Sequence, residues 1–176
     1  MFRSFFVFLM IFIMAGFIQA QEPSYLQYFF TVKKILPETK TVGVFIDEAT
    51  YSQKEVKIKR AATQSGVQVK IFLVTDRKSI GKFMKELQGV DVLLLSRNSV
   101  LDQKSSRIFI LSRSKEMNIP VISSSQEYSK SGAFLYLYKD ENHKTHMVVN
   151  LKQTPYLAHR FGDEEAKKMG ISKLIR

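Results

Sequence analysis

The sequence contains no cysteine, no tryptophan and only four prolines. The lack of cysteine excludes a disulfide framework, cysteine-ligated zinc, iron–sulfur clusters and thiol chemistry. Glycine is sparse, with eight residues in 176, and no glycine-rich phosphate loop or Gly-x-Ser-x-Gly nucleophile turn occurs. After the N-terminal stretch, no apolar run is long enough to cross a bilayer. We therefore expect a protein that is not an enzyme and that holds no cofactor.

The composition is that of a globular chain, with 45% hydrophobic and 24% charged residues. About 150 residues is a usual domain size, so one domain is expected. There are 27 Lys and Arg residues against 16 Asp and Glu residues, a net charge of +11. The positive charge is spread along the predicted helices, which is typical of solvated surfaces, although docking on anionic lipid or an acidic partner would also use it. Because the chain is predicted to be exported, we expect no nucleic-acid partner.

The N-terminus has the three parts of a secretory signal peptide. Arg3 supplies a positive charge, an apolar run extends from Phe5 to Ile18, and Ala20 is small enough to precede a cleavage site. Fourteen helical residues cover about 21 Å, less than the roughly 30 Å of a bilayer core. We predict a signal peptide at 1–20, a single domain at 21–176 and a periplasmic location. An uncleaved membrane anchor is the alternative.

Strands and helices alternate after residue 23. Continuous apolar runs typical of buried parallel strands are separated by segments with apolar residues at helical spacing. This pattern predicts right-handed βαβ units and a parallel sheet. The predicted strands are 41–46, 67–74, 90–95 and 119–122, and the predicted helices are 24–36, 52–65, one around 80–87, and 102–116.

Local signals place the ends and faces of these helices. Ser52 and Glu55 form a capping box that predicts the start of the second helix. Asp102 is expected to cap the fourth helix and to turn Ile108 and Leu111 towards the core.

The pattern changes after Gly132. Two apolar strands, 133–138 and 145–151, flank a polar loop and predict a hairpin at an edge of the sheet. A helix is expected from Tyr156 to about Met169. The fold class predicted is α/β, a three-layer αβα domain with a mainly parallel, flavodoxin-like sheet and an edge hairpin.

Two ordered segments carry a family resemblance. The run Leu36-Pro37-Glu38-Thr39-Lys40-Thr41-Val42-Gly43-Val44 and the later pair Asn118–Ser123 and Tyr128–Ala133 resemble ABC-transporter substrate-binding-like proteins of the periplasmic-binding-protein type I fold. The resemblance covers about residues 36–137. It implies a non-enzymatic protein similar to one lobe of a substrate-binding protein, which binds a small polar ligand or assists transport.

A second resemblance concerns the C-terminal part. Gly132-Ala133-Phe134, then Met147–Leu151, then Gly170-Ile171-Ser172-Lys173-Leu174 resemble the end of YfiR-like periplasmic proteins. That resemblance implies a small regulator that restrains an inner-membrane signalling partner by protein contact.

Polar residues follow each predicted strand of the parallel sheet. Ligands of such sheets bind outside the carboxyl ends of the strands, so these residues form a candidate site for a small polar ligand. The same residue types also cap the following helices, which is the competing interpretation. The candidates are Asp47, Glu48, Thr75, Asp76, Ser96, Arg97, Asn98, Ser123 and Ser124.

We expect no metal site. His143 and His146 stand in a polar loop and lack the spacing of a helical zinc pair. The adjacent carboxylates Asp47 and Glu48 are better explained as solvated loop charges than as an acid–base pair.

The segment from Tyr25 to Val32 is unusually apolar, with six apolar residues in eight positions. A helix that is apolar around most of its circumference needs cover on more than one side. We therefore predict that Tyr28 or its neighbours contribute to a homodimer contact. Full burial within one chain is the alternative.

Overall fold

The computed structural model describes residues 22–176, so the predicted signal peptide and its cleavage at Ala20 lie outside the described residues. Seven strands form one sheet. The strands are β1 Thr41–Ile46, β2 Gln68–Leu73, β3 Val92–Leu95, β4 Val121–Ser123, β5 Leu135–Lys139, β6 Thr145–Asn150 and β7 Lys173–Ile175. The helices are α1 Tyr25–Ile35, α2 Glu48–Ser65, α3 Arg77–Lys85, α4 Lys104–Glu116, α5 Gln126–Ser131 and α6 Asp163–Lys168, with a 3₁₀ helix at Pro155–Arg160.

The sheet order is β2-β1-β3-β4-β5-β6-β7. The first five strands are parallel, β6 is antiparallel to β5, and β7 is parallel to β6. Strand β1 thus lies between β2 and β3, and the strand order reverses there. The predicted α/β class, the parallel core and the hairpin are confirmed.

Two hydrophobic cores lie on opposite faces of the sheet. Alternate residues of one strand serve both cores, since Val44 of β1 joins the core beneath α1 and α2 while Phe45 joins the core beneath α3, α4 and α5. All six β1 residues are buried, as expected for a strand covered on both faces. Burial of each large apolar side chain contributes about 1.5–3 kcal/mol. The fold therefore has three layers, helices on both sides of one sheet.

Two helix predictions were wrong in their details. Helix α2 starts at Glu48, because Asp47 caps it and Ser52 lies inside the helix with its hydroxyl donating to the Glu48 carbonyl. In helix α4 the N-cap position is Gln103, not Asp102, and the Gln103 side chain forms no capping hydrogen bond; Ile108 is 57% exposed.

The outward position of Ile108 has a packing reason. The inner face of α4 carries Ser106, Ile110, Leu111 and Ser114, all buried. Because two of these four inward side chains are serines, apolar residues alone do not mark the inner face of α4. The spacing of Ile108 and Leu111 therefore did not identify that face. Leu111 is buried as predicted.

The C-terminal prediction was also incomplete. The segment predicted as one helix is a 3₁₀ helix followed by α6, with Gly162 as the α6 N-cap between them. Phe161 packs at 1% exposure at this break. The last strand, β7, was missed because three residues are too few to give a period, and it extends the sheet beyond the hairpin.

Helix α1 buries its aromatic face inside the chain. Tyr28, Phe29 and Val32 are 5%, 0% and 1% exposed. Tyr28 therefore does not face a partner, which corrects the prediction that it contributes to a dimer contact. Phe30, 50% exposed, is the large neighbour that remains at the surface. Among residues 22–176, no helix combines the length and hydropathy needed to cross a bilayer.

Candidate functional site

All nine predicted site residues lie at the carboxyl ends of the parallel strands β1 to β4. Each is either the last residue of a strand or follows the strand closely in the chain. Their side chains do not form one site, however. Some line a shallow cleft above β1, β2 and β3, and others lie near a deeper cavity beside β3 and β4.

The shallow cleft occupies about 860 Å³ at the point where the strand order reverses. Its lining includes Asp47, Glu48, Thr75 and Asn98. Reversal points of parallel sheets are the usual location of ligand crevices, so the cleft lies where the sequence predicts a site.

Several polar side chains of this edge are engaged in local turns. The Asp47 carboxylate accepts from the Thr50 amide at 2.8 Å, and Asp76 accepts from the Ser79 amide at 2.8 Å. The Asn98 side-chain oxygen accepts from the Val100 amide at 2.6 Å. These contacts match the capping interpretation and leave fewer free groups for a ligand.

Hydrogen bonding governs the charge of Asp47. Burial acts to raise the pKa of Asp47, but hydrogen bonds from Thr50 outweigh burial and hold the pKa below its ordinary value. The cap is therefore a carboxylate through most of the pH range.

The deeper cavity, here called the α1–α2 cavity, has a volume of about 690 Å³. It lies between the start of α1, the middle and C-terminal part of α2, and the ends of β3 and β4. Its apolar lining includes Leu26, Ala61 and Leu94. Its polar and aromatic lining comprises Glu22, Ser24, Tyr25, Tyr28, Lys54, Lys57, Arg60, Gln64, Ser96 and Ser124. Of the predicted site residues, Ser96 and Ser124 lie here.

A polar cluster is centred on Glu22 in the wall of the α1–α2 cavity; Glu22, Lys54 and Ser124 line the cavity, and Arg97 is not among its lining residues. The Ser124 hydroxyl donates to Glu22 Oε1 at 3.0 Å. Arg97 Nε lies 3.8 Å from the same oxygen, and Lys54 Nζ lies 3.9 Å from Glu22 Oε2. One carboxylate therefore meets one hydrogen-bond donor and two cations at ion-pair distance, which come from three separate parts of the fold.

Tyr25 connects this cluster to the sheet. Its hydroxyl lies 3.2 Å from the Ser96 Oγ, and the Lys54 ammonium is 5.9 Å from the centre of its ring. Burial raises the pKa of Tyr25, so the hydroxyl keeps its proton and is able to donate.

Tyr28 carries an unpaired polar atom into the cavity wall. Its hydroxyl is buried and forms no hydrogen bond with any residue of the 22–176 range. Burial raises the pKa of Tyr28, and the nearby Ser124 hydroxyl opposes that rise. The two hydroxyls nevertheless do not form a hydrogen bond, and Ser124 donates to Glu22 instead.

Aromatic rings of the hairpin form a wall near the same edge. Tyr136 stacks on Tyr138, and Tyr138 stacks on His146, each pair with centroids 5.1 Å apart. Burial raises the pKa of Tyr136, and the guanidinium of Arg97 partly offsets that effect. Ser123, which pairs with Tyr136 in the sheet, is buried and accepts from the Ser125 amide.

Sequence reasoning missed Tyr25, Tyr28 and Lys54 as site residues. One signal was available, because a helix joined to the following strand by a short connection runs antiparallel to that strand. The start of α1 therefore has to lie level with the carboxyl end of β1. The contact of Lys54 with this helix start, in contrast, depends on the packing of α2 against α1.

The arrangement defines a doubly wound αβα protein with a cavity at its carboxyl strand edge. No protein-family model matches the chain. No curated protein matches it significantly in sequence.

Solved structures match the fold. One is an ABC domain in complex with L-Trp from Streptococcus pneumonia, with a TM-score of 0.70, 15% identity, 86% of this chain covered and 60% of the other. A conserved domain protein from Vibrio cholerae matches with a TM-score of 0.70 at 16% identity over 88% of this chain and 61% of the other. A ligand-free, open substrate-binding protein with adhesive properties from Clostridium difficile matches with a TM-score of 0.64 at 20% identity over 82% and 57%.

The chain thus has a substrate-binding-protein fold, as the first resemblance predicted. It spans about three fifths of the length of these structures. The second resemblance, to YfiR-like proteins, stays a prediction.

Proposed function

We propose that the chain is an exported, non-enzymatic protein that binds a small polar ligand at the carboxyl edge of its sheet, as a binding lobe or an accessory to transport. The observation that carries this proposal is the α1–α2 cavity, where hydroxyls, cations and aromatic rings converge around about 690 Å³. Small-molecule sites have this size and this mixture of groups. The fold supports the proposal, since one compared structure holds L-Trp and another is a substrate-binding protein.

A ligand screen tests this function, and two variants distinguish the α1–α2 cavity from the shallow cleft. Thermal-shift screening of the exported protein against amino acids, organic acids, sugars and amines should give at least one hit, because a ligand that binds only the folded state raises the melting temperature. Calorimetry on Lys54→Met should then show weakened binding if the cavity is the site. Asn98→Ala should weaken binding if the shallow cleft is the site.

The control for Lys54→Met is Lys59→Met. Lys59 lies on the same helix, is paired with Glu55 at 2.6 Å and is absent from the cavity wall. Its substitution should leave ligand binding unchanged. A screen without any hit would argue against the ligand-binding function.

Export is tested with the full chain. Cell fractionation after expression should recover a processed protein in the periplasm, and sequencing of its N-terminus should start at Gln21. Retention of the unprocessed chain in the inner membrane would show that the N-terminal segment is an uncleaved anchor and not a signal peptide.

A regulatory function by protein contact is the second candidate. The observation that favours it is the outer face of α4, where Ile108 and Phe109 are 57% and 41% exposed. If this face contacts an inner-membrane partner, the wild-type protein should co-sediment with membranes and Phe109→Ser should not. A neighbouring gene for a diguanylate cyclase or sensor kinase would favour this function, whereas a permease and an ATPase would favour transport.

A further inference from the structure

We propose that the α1–α2 cavity binds an organic carboxylate with an apolar body, and that Glu22 occupies the position of the ligand's carboxylate in the structure described here. This inference rests on the proposed ligand-binding function and names the chemical class of the ligand. It assigns Glu22 the role of an internal competitor for the site.

One hydroxyl and two cations surround the Glu22 carboxylate. Ser124 donates at 3.0 Å, and the cations of Arg97 and Lys54 lie at 3.8 and 3.9 Å. Ser124 follows β4, Arg97 follows β3 and Lys54 belongs to α2, so three parts of the fold point one hydroxyl and two cations at one carboxylate. A hydroxyl and two cations that surround a side-chain carboxylate can bind the carboxylate of a ligand in the same way.

The lining of the cavity carries more positive than negative charge. Lys54, Lys57 and Arg60 line the cavity, and Glu22 is the one carboxylate among its lining residues. The local charge is positive even with Glu22 in place. A cavity with this balance attracts anions and disfavours cations.

The apolar part of the lining selects the body of the ligand. Leu26, Ala61 and Leu94 line the cavity together with the rings of Tyr25 and Tyr28. Contact with these groups removes apolar surface of a ligand from water, which small hydrophilic anions such as sulfate or formate lack. The combination predicts an aromatic or aliphatic carboxylate.

The wall of the cavity also contains a buried hydroxyl without a hydrogen-bond partner among residues 22–176, that of Tyr28. An unpaired buried hydroxyl costs about 1–3 kcal/mol. Because Glu22 and Ser124 lie beside the Tyr28 hydroxyl and leave it almost no exposed surface, a ligand oxygen can accept its proton only once Glu22 is displaced.

Glu22 is bound weakly enough to be displaced. Its two ion pairs are long, and its side chain is 35% exposed. Exposed ion pairs contribute at most about 1 kcal/mol, so a ligand that also buries apolar surface can compete with Glu22.

The experiment compares charged and neutral probes. Phenylacetate and octanoate are titrated into the exported protein by calorimetry or NMR, with phenylacetamide and octanamide as neutral matches. At least one acid should bind and its amide should bind at least about tenfold more weakly, since the amide lacks the charge that Arg97 and Lys54 recognise. Glu22→Gln should increase affinity for the acid by about two- to fivefold, because it removes the competitor.

Matched variants complete the design. Lys54→Met should lower affinity for the acid by about three- to tenfold, and Lys59→Met should leave it unchanged. Glu55→Gln removes a carboxylate from the same helix outside the cavity and should not raise affinity. Far-UV circular dichroism and melting curves establish that each variant is folded.

Two results would overturn the inference while leaving the proposed function intact. The first is a wider screen in which neutral or cationic ligands bind and the carboxylates do not. The second is a Glu22→Gln variant that binds the acids no better than the wild type. Failure of every ligand class, including the acids with Glu22→Gln, would overturn both.

Discussion

The hydroxyl of Tyr128 donates a 2.7 Å hydrogen bond to the backbone carbonyl of Leu101, and both residues are buried, at 1% and 0% exposure. This bond ties α5 to the turn that precedes α4. A buried carbonyl that loses its donor lowers the free energy of unfolding, so this bond contributes to the stability of the fold.

Tyr128→Phe should lower the free energy of unfolding by about 1–2 kcal/mol, because it leaves the Leu101 carbonyl buried without a donor. Chemical denaturation measures the change. The matched control is Tyr156→Phe, since Tyr156 also donates to a carbonyl at 2.7 Å but is 40% exposed. Water replaces the lost donor there, and the effect should stay below about 0.5 kcal/mol. Equal losses in both variants would contradict the burial argument.

Ser114→Ala should stabilise the protein. Ser114 is 0% exposed and its hydroxyl has no partner among the described residues, so the substitution removes an unsatisfied group and adds helix propensity. We expect a gain of about 0.5–1.5 kcal/mol, read from the denaturation midpoint. Ser112→Ala on the exposed face of the same helix isolates the propensity contribution. A destabilised Ser114→Ala would indicate that the hydroxyl is bonded in solution.

The Asp47 cap should make stability depend on pH. A carboxylate whose pKa is lower in the folded state than in the unfolded state stabilises the fold above the unfolded pKa, and this contribution is lost as pH falls through the folded pKa. For Asp47 that window lies at and below the ordinary aspartate range. Asp47→Ala should cost about 1 kcal/mol at neutral pH through loss of the cap.

Asp47→Asn is the control for the charge. Asparagine keeps a capping oxygen but does not titrate, so most of the stability should remain while the Asp47 part of the acid dependence disappears. Melting curves between neutral and acidic pH measure both effects. If the melting temperature of Asp47→Asn falls with acid pH as it does in the wild type, groups other than Asp47 cause the pH dependence.

Two glycine-to-alanine substitutions should act in opposite directions. Gly132 ends α5 with φ of +107°, and an added Cβ would stand 2.8 Å from Gln153 Cγ. Gly132→Ala should therefore destabilise by about 1–2 kcal/mol. Gly81 lies inside α3 with open space around its Cβ position, so Gly81→Ala should stabilise by about 0.5–1 kcal/mol. Thermal unfolding compares them, and equal shifts would contradict the conformational argument.

The predicted homodimer now depends on Phe30. With Tyr28 buried, Phe30 is the large apolar side chain that α1 exposes, at 50%. Sedimentation equilibrium at micromolar concentration should show a dimer for the wild type and a monomer for Phe30→Ser. Phe109→Ser, on α4, is the matched surface control and should remain dimeric. A wild type that is monomeric throughout would remove the dimer.

The sequence alone was sufficient to predict individual strands and the hairpin of this fold. Strand 41–46 was predicted at its observed bounds because it is a continuous apolar run, and all six of its residues are buried in the structure. The hairpin was predicted for the same reason, together with its polar loop. The predicted start of α2 and the predicted inner face of α4 were wrong. Ser52 could either cap a helix or lie inside one, and Ile108 could lie on either face of α4. Distinguishing the positions requires knowing what packs against the helix.

The candidate site shows the same division. Chain order placed nine polar residues after the strands, because consecutive βαβ units bring all carboxyl ends of parallel strands to one edge. Only the tertiary structure decided which of them are occupied as caps, as Asp47 is, and which reach the α1–α2 cavity, as Ser124 does. The contact between Glu22 and Ser124 spans 102 positions of sequence and depends on α1 packing against the sheet beside β4. Such a contact follows from the summed burial of many side chains, and no local pattern in the sequence encodes it.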